Sequence, residues 1–247
     1  MRKIAISISK GGVGKSTTAV SLAHGLALKG KKVLLIDTDD QGQCSWMLGV
    51  EPEYGLSEVL EEKIKLNVAI FRARKNLFLL SGGASLSSVK RSIGRKDFGA
   101  EQTLSDKMEK IEGEFDFVIM DTSPAFDSLT INSLFYCTEV LTPVSMEILA
   151  LNSLIEFSKR LDSVKKYNTN LSHKYILPTF KDGRVKKSSE IFQMLTSYYK
   201  EIVCDPIHYS SRLSETAGFG KTIFEYDKTS SGVEDYKKLI KRILRNG

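Results

Sequence analysis

The chain has 247 residues, 41% of them hydrophobic and 27% charged, which suffices for one large domain with its own core and excludes a small fold held by disulfides or a structural metal. Lysine and arginine number 36 against 30 aspartates and glutamates: residues 1–50 carry 7 basic and 3 acidic side chains, residues 51–150 carry 11 and 16, and residues 151–247 carry 18 and 11. A basic last third behind an acidic middle points to an anionic partner met through one face.

The apolar run within Met1–Ile8 stops at Lys10, short of a signal peptide's core, and no apolar stretch approaches the roughly 18 residues of a membrane-spanning helix. Cys44, Cys137 and Cys204 are odd in number, far apart and without C-x-x-C spacing, so neither a disulfide framework nor a zinc site is indicated. Together these features predict a cytoplasmic protein in a reducing setting.

In chain order, short apolar runs predict buried strands at Ile4–Ile8, Lys32–Ile36, Leu77–Ser81, Phe115–Met120, Glu139–Pro143 and Lys174–Leu177. Segments of helical period predict helices over Ser16–Lys29, Ser105–Glu112, Ser128–Tyr136, Glu147–Tyr167, Ser188–Lys200 and about Gly232–Asn246. This alternation is the α/β pattern, a mostly parallel twisted sheet flanked by helices on both faces. The stretch Glu51–Phe98 resists assignment because its charges follow neither period. With five prolines and no Pro/Gly/Ser-rich linker, residues 1–247 are expected to form a single domain, without a DNA-binding extension ahead of the first strand.

Ser9-Lys10-Gly11-Gly12-Val13-Gly14-Lys15-Ser16-Thr17 follows the first strand directly and precedes a helix, the context a P-loop requires. Gly11, Gly12 and Gly14, with Val13 among them, let backbone N–H groups turn toward one point. With the helix N-terminus they form a nest for phosphate oxygens. Lys15 supplies a point charge for the β- and γ-phosphates, the Ser16 hydroxyl is placed to ligate Mg²⁺, and Thr17 reaches the α-phosphate. The strict G-x-x-x-x-G-K-[ST] pattern fails at Ser9, and an added lysine, Lys10, follows it. Like charges beside Lys15 repel, so Lys10 is expected to point away, toward a nucleotide held by a second copy.

The second strand ends in Asp37-Thr38-Asp39-Asp40-Gln41 and a later one in Met120-Asp121-Thr122-Ser123-Pro124. Ligands of open α/β sheets sit outside the carboxyl ends of strands, so both clusters are expected to open onto the P-loop crevice. An apolar strand ending in Asp is the Walker B arrangement, which assigns Asp121 to the magnesium, through water. Asp37 and Asp39 share a face if the chain is extended there, one to orient the attacking water and the other to support the metal shell.

These residues carry a family resemblance. Lys10-Gly11-Gly12-Val13-Gly14-Lys15-Ser16-Thr17 is similar to the deviant Walker A motif of the ParA/MinD ATPases, and Asp37-Thr38-Asp39-Asp40-Gln41-Gly42 resembles the motif that follows it in ParA/Soj partition proteins. Asp121-Thr122-Ser123-Pro124-Ala125, Leu129-Thr130-Ile131-Asn132 and Arg212-Leu213-Ser214-Glu215 with Gly220-Lys221 also fall in the family's order. The resemblance runs from about Lys3 to Arg245 and is weakest across Glu51–Phe98. It implies a P-loop NTPase in which two copies sandwich two ATP molecules with Mg²⁺. The homodimer would bind double-stranded DNA without sequence preference, on the nucleoid. A ParB-like or other adaptor protein would stimulate a slow hydrolysis, so as to segregate or position a plasmid, chromosome region or other cargo. Lys10 would reach the other subunit's phosphates, Asp39 would activate water, Asp37 would stand behind the metal, and Gly11 would lie at the close dimer contact. The chain departs from the family at Ser123-Pro124, where two prolines are common, at Thr216-Ala217, and near His208, where a proline borders the adenine.

By position Arg184 and Arg212 resemble DNA-contacting arginines of the Soj-like proteins. Lys181-Asp182-Gly183-Arg184-Val185-Lys186-Lys187 holds four cations in seven positions. Phosphates dominate nonspecific duplex affinity, so Lys181, Lys186 and Lys187 join the expected DNA face. The final helix puts Val233, Tyr236, Leu239, Ile240, Ile243 and Leu244 on one side with Lys237, Lys238, Lys241, Arg242 and Arg245 on or beside the other. Docking on the core is expected, since the helix joins the domain without a linker; membrane contact of the MinD type through this helix is the alternative. An iron–sulfur enzyme of the nitrogenase iron protein kind needs cysteines in surroundings that Cys137 and Cys204 lack. His24, His173 and His208 form no metal-like spacing, and Trp46 is expected to serve packing.

Overall fold

A strand that is apolar along its whole length is stable only where both of its faces are covered. In the computed structural model, which describes residues 1–246, that condition sets the plan of the molecule. Seven strands, β1 (Arg2–Ile6), β2 (Val33–Asp37), β3 (Phe71–Arg74), β4 (Leu77–Leu80), β5 (Phe117–Asp121), β6 (Glu139–Ser145) and β7 (Ser172–Thr179), form one sheet in the order β3-β4-β2-β5-β1-β6-β7. Every residue of β2, β5 and β6 is buried. Because successive side chains point to opposite faces, Leu34, Ile36, Val118 and Met120 enter one core with the helices Ser128–Tyr136 and Ile148–Lys165. Val33, Leu35, Phe117 and Ile119 enter the other, with the P-loop helix Lys15–Leu28 and the C-terminal helix Ser231–Arg245.

The six expected strands are all present, with ends displaced by no more than two residues. The hard stretch Glu51–Phe98 adds the one strand the sequence did not disclose. β3 pairs antiparallel with β4 through a tight hairpin at Lys75–Asn76, where Asn76 takes a left-handed φ of 61°. Its edge position leaves Phe71 and Arg72 exposed, so no apolar run marks it. Arg74 ties the hairpin to the C-terminal part of the chain, with its Nε donating to Glu225 Oε1 at 2.6 Å and its Nη2 to the Leu48 carbonyl at 2.8 Å.

The strand order reverses about β1 and β5. The connection from β1 crosses β5 to reach β2, and the one from β5 crosses β1 to reach β6. This creates a crevice at the carboxyl ends of the central strands, the place where open α/β sheets receive ligands.

The expected docking of the final helix is observed. Val233, Tyr236, Leu239, Ile240 and Ile243 are each no more than 2% exposed, and they pack on the P-loop helix and on the sheet beneath it. Gly25, in the middle of the P-loop helix, lies so close to Ile240 Cδ1 that a Cβ there has no room. Tyr236 Oη also reaches Thr18 Oγ1 at 3.3 Å. Truncating Ile240 to alanine is therefore expected to lower the free energy of unfolding by about 2–4 kcal/mol. Gly25→Ala should be more favourable in that background than in the parent, because its methyl enters the vacated space. Urea denaturation of the four proteins checks this, and equal effects of Gly25→Ala in both backgrounds would contradict the packing.

Candidate functional site

Three loops leave the carboxyl ends of neighbouring strands and meet around a cleft of about 650 Å³. The loop after β1 is the P-loop. Gly12 and Gly14 take left-handed φ values of 72° and 83°, which a side chain would resist. The space above Gly11 and Gly12 is open, since an added Cβ would meet nothing within 4 Å. Gly14 caps the helix without a side-chain hydrogen bond, and the first turn holds no acidic residue. The first N–H groups of a helix have no intrahelical acceptors, so this end presents donors and a positive dipole to the cleft. Thr179 at the end of β7 anchors the loop from behind, its Oγ1 donating to the Val13 carbonyl at 3.0 Å.

Lys15 is buried and folds back over the loop, its Nζ donating to the Lys10 carbonyl at 2.6 Å. Burial lowers its pKa, while Asp121 and Asp39 act to raise it. Ser16 and Thr17 line the cleft. Lys10 points outward and is met within its own chain by Glu147, whose Oε2 lies 3.2 Å from Nζ on the solvent side.

β2 and β5 end in register, with Asp37 opposite Asp121. The two carboxylates are thus forced onto the same face, and both are fully buried. Asp37 is satisfied by backbone: Oδ1 accepts the Asp39 N–H at 2.9 Å and Oδ2 the Cys44 N–H at 3.0 Å. Its pKa is raised to about 6, by burial first and less by Asp39, against those two hydrogen bonds. Asp121 is poorly satisfied. Its Oδ2 receives only the Cys44 thiol at 3.4 Å, and its Oδ1 has no partner. Burial, reinforced by Asp37, pushes its pKa up to about 8, while the Ser16 hydroxyl beside it works in the other direction. A buried carboxylate oxygen without a partner, next to a serine hydroxyl and under an open glycine loop, fits a hydrated divalent cation joined to bound phosphates.

Asp37 and Asp39 stand in different surroundings. Asp37 is a clamp under the turn. Asp39 lies beyond the strand, lines the cleft, and accepts the Gln41 N–H at 3.1 Å; burial raises its pKa as well. On the opposite wall stands Lys90, which sequence reasoning missed. It pairs with Asp127 at 2.8 Å and approaches Asp40 at 3.8 Å. Leu86, Val89 and Ile93, buried at helical spacing, mark its short helix, but nothing in the sequence says that this helix faces the P-loop. Trp46, expected to serve packing, is instead 60% exposed, because the helix Gln43–Leu48 buries Cys44, Met47 and Leu48.

The residues expected to meet DNA gather at the end of β7. The backbones of Lys181 and His208 form an isolated parallel β-bridge, and the Tyr209 N–H donates to the Lys181 carbonyl, so that the 181–187 loop lies beside the segment leading to Arg212. Arg184 forms a two-pronged contact with Asp182, at 2.9 and 2.7 Å, with its side chain 83% exposed. Arg212 meets Glu215 at 3.2 Å and Asp227 at 3.8 Å. Lys181 lies over the Phe192 ring, Lys186 is 3.8 Å from Glu190, and Lys187 is exposed.

Comparison with known proteins agrees with this geometry. Residues 1–173 match the family described as AAA domain. The chain is 33% identical to the sporulation initiation inhibitor protein Soj of Bacillus subtilis (strain 168), over 99% of this chain and 98% of that protein. It is 31% identical to the chromosome partitioning protein ParA of Caulobacter vibrioides (strain NA1000 / CB15N), over 99% and 94% of the two. Among solved structures it is similar to cobyrinic acid a,c-diamide synthase from Mycobacterium smegmatis with bound ATP analog and magnesium. The TM-score is 0.85 at 27% identity, over 99% of this chain and 95% of that one.

The buried Asp121 has a measurable cost. Its pKa is raised from 3.8 to about 8, so the folded chain keeps a proton that the unfolded chain releases, and stability falls as pH rises through that window. Asp121→Asn removes this titration. In a chelator and without nucleotide, its thermal midpoint should exceed the parent's near pH 8, with the gap closing toward about pH 4. A gap that does not change with pH would remove the basis of the assignment.

Proposed function

The chain belongs to the ParA/Soj family of partition ATPases, and on that premise we propose that it is an ATP-driven, DNA-bound switch. Two copies close on two ATP molecules. The closed dimer holds double-stranded DNA without regard to sequence, on the nucleoid in the cytoplasm, and a ParB-like adaptor speeds hydrolysis to release it. The cycle segregates or positions a plasmid, a chromosome region or another cargo. The observation that carries this proposal is the convergence of the P-loop and two carboxylate strand ends on one cleft.

The residues take the following parts. The N–H groups of Gly12, Val13, Gly14 and the first helical turn receive phosphate oxygens, and Lys15 leaves the Lys10 carbonyl to pair with the β- and γ-phosphates. Ser16 and, through water, Asp121 would hold Mg²⁺, which when bound neutralises phosphate charge and polarises the γ-phosphoryl group. Asp37 fixes the turn that carries Asp39, and Asp39 orients the attacking water. Phosphoryl transfer rests mainly on positioning, so Asp39 has to be held rather than strongly basic, and its hydrogen bond to Gln41 does that. Lys10 gives up an exposed, weak ion pair with Glu147 when it reaches across to the second copy. Gly11 is open within one chain, so a clash from a side chain there would come from another molecule.

The basic surface at the end of β7 supports DNA as the partner. Its ion pairs are exposed and screened, so they do not keep Arg184 and Arg212 from a phosphate. The MinD-type alternative lacks a free surface, because the apolar side of the C-terminal helix is already packed on the P-loop helix.

With Asp39→Ala and Mg·ATP, light scattering should find a dimer, and duplexes of unrelated sequence should bind at low salt and dissociate as salt rises. A monomer without DNA affinity would refute the proposal. Arg184→Ala and Arg212→Ala should each weaken binding evenly across sequences and flatten its log–log salt slope by about 1 per contact removed. Dimerisation should persist in both, and its loss would overturn their assignment to DNA.

A further inference from the structure

The nucleotide cleft does not account for Cys44. The register of β2 and β5 places Asp37 beside Asp121, and the next turn of chain brings Cys44 over both. One ligand atom from each of the three lies within 4.8 Å of the others, and all three residues are fully buried. Among the described residues this is the one grouping of three such side chains. Asp121, whose Oδ2 receives the Cys44 thiol, also carries an unpartnered oxygen, Oδ1.

A thiol contributes nothing to magnesium, a hard ion that takes oxygen ligands. One thiolate with two carboxylates is instead a donor set for a borderline-soft ion. The spacing agrees. In a tetrahedral zinc site, bonds of about 2.3 Å to sulfur and about 2.0 Å to oxygen put sulfur and oxygen about 3.5 Å apart. Cys44 Sγ and Asp121 Oδ2 are 3.4 Å apart. Cys137 and Cys204 are buried too, but neither is in such a group.

We propose that Asp37, Cys44 and Asp121 form a site for a thiophilic divalent cation of the Zn²⁺ class, and that an ion bound there withdraws Asp121 from magnesium. On binding, the Cys44 S–H bond breaks, its proton goes to solvent, and sulfur keeps the electron pair that it gives to the metal. The dication offsets two of the three ligand charges, and the Lys15 ammonium nearby offsets the third. Ser16 lies against Asp121 and lines the cleft, so the site is one side chain beneath the cleft floor.

The proposal shares Asp121 with the magnesium assignment, but its test uses neither nucleotide nor magnesium, so the two fail separately. Co²⁺ titrated into the full chain stands in for Zn²⁺. One equivalent should produce a near-ultraviolet thiolate-to-cobalt band that added Zn²⁺ abolishes. The band should remain in Cys137→Ala and Cys204→Ala and vanish in Cys44→Ser and Cys44→Ala, whose folding circular dichroism verifies. Zn²⁺ competition against a chromophoric chelator should show Cys44→Ser binding more than about a hundredfold more weakly, beyond what loss of an outer-shell support produces. No thiolate band in the parent, or a band that survives in folded Cys44→Ser, would overturn the site.

Discussion

Two carboxylates side by side in a protein core repel each other and lose their hydration, and the molecule is arranged around that fact. Parallel strands β2 and β5 end together, and in-register pairing allows Asp37 and Asp121 no other arrangement. The fold answers the cost unequally. Asp37 gains two backbone N–H groups from the turn that follows it, whereas Asp121 keeps one oxygen with no partner at all. An incompletely satisfied buried acid is disfavoured in a domain that has only a few kcal/mol of net stability, and it persists where a ligand completes it. The nearest positive group, Lys15, is itself disfavoured by burial and turned onto a carbonyl. Among the described residues Lys15 makes no ion pair with Asp121 or Asp39 although their charge reaches it, and phosphate and a metal ion are the partners that each still lacks.

Holding such a site open requires a rigid frame, and the two cores provide it. The P-loop helix is covered nearly all round, so its N-terminus is fixed against the sheet while its donors face the cleft. That coverage explains two features that look independent in the sequence. A glycine stands in the middle of the helix because Ile240 occupies the volume a side chain would need, and the amphipathic C-terminal helix is amphipathic because it is a wall of the core. The rim is built differently. Lys10, Glu147, Arg184 and Asp182 hold each other in exposed pairs that water and salt can replace.

How far the sequence disclosed this depended on which interactions decide each feature. Local rules suffice for the P-loop, because glycines, a following lysine and a strand-to-helix context have few other uses together. They suffice for the inner strands, whose burial on both faces writes itself as a continuous apolar run. β3 escapes because an edge strand is paired on one side only and Arg72 and Arg74 interrupt its pattern, although Arg74 is held by Glu225, far away in sequence. Lys90 escapes because its importance is a matter of which wall its helix forms. Trp46 misleads because side-chain size predicts burial on average, while here three neighbours in its short helix fill the core first. What was out of reach is that the strand ends at Asp37, so that Asp39 lies beyond it and leaves the face that an extended chain would share.

The basic last third looks different once its partners are visible. An excess of lysine and arginine in the sequence suggests a bare cationic surface, yet Arg184 is fastened to Asp182, and Arg212 stands between Glu215 and Asp227. Each pair is close to neutral at a distance, so the far field of this region comes from the surplus of 18 basic over 11 acidic side chains and not from Arg184 and Arg212 themselves. At contact the situation reverses. A phosphate competes with a carboxylate for an arginine already oriented and extended at the surface, and the exposed pair it displaces was worth little. A face of this kind would hold a polyanion weakly through a single contact and firmly only when several contacts form together.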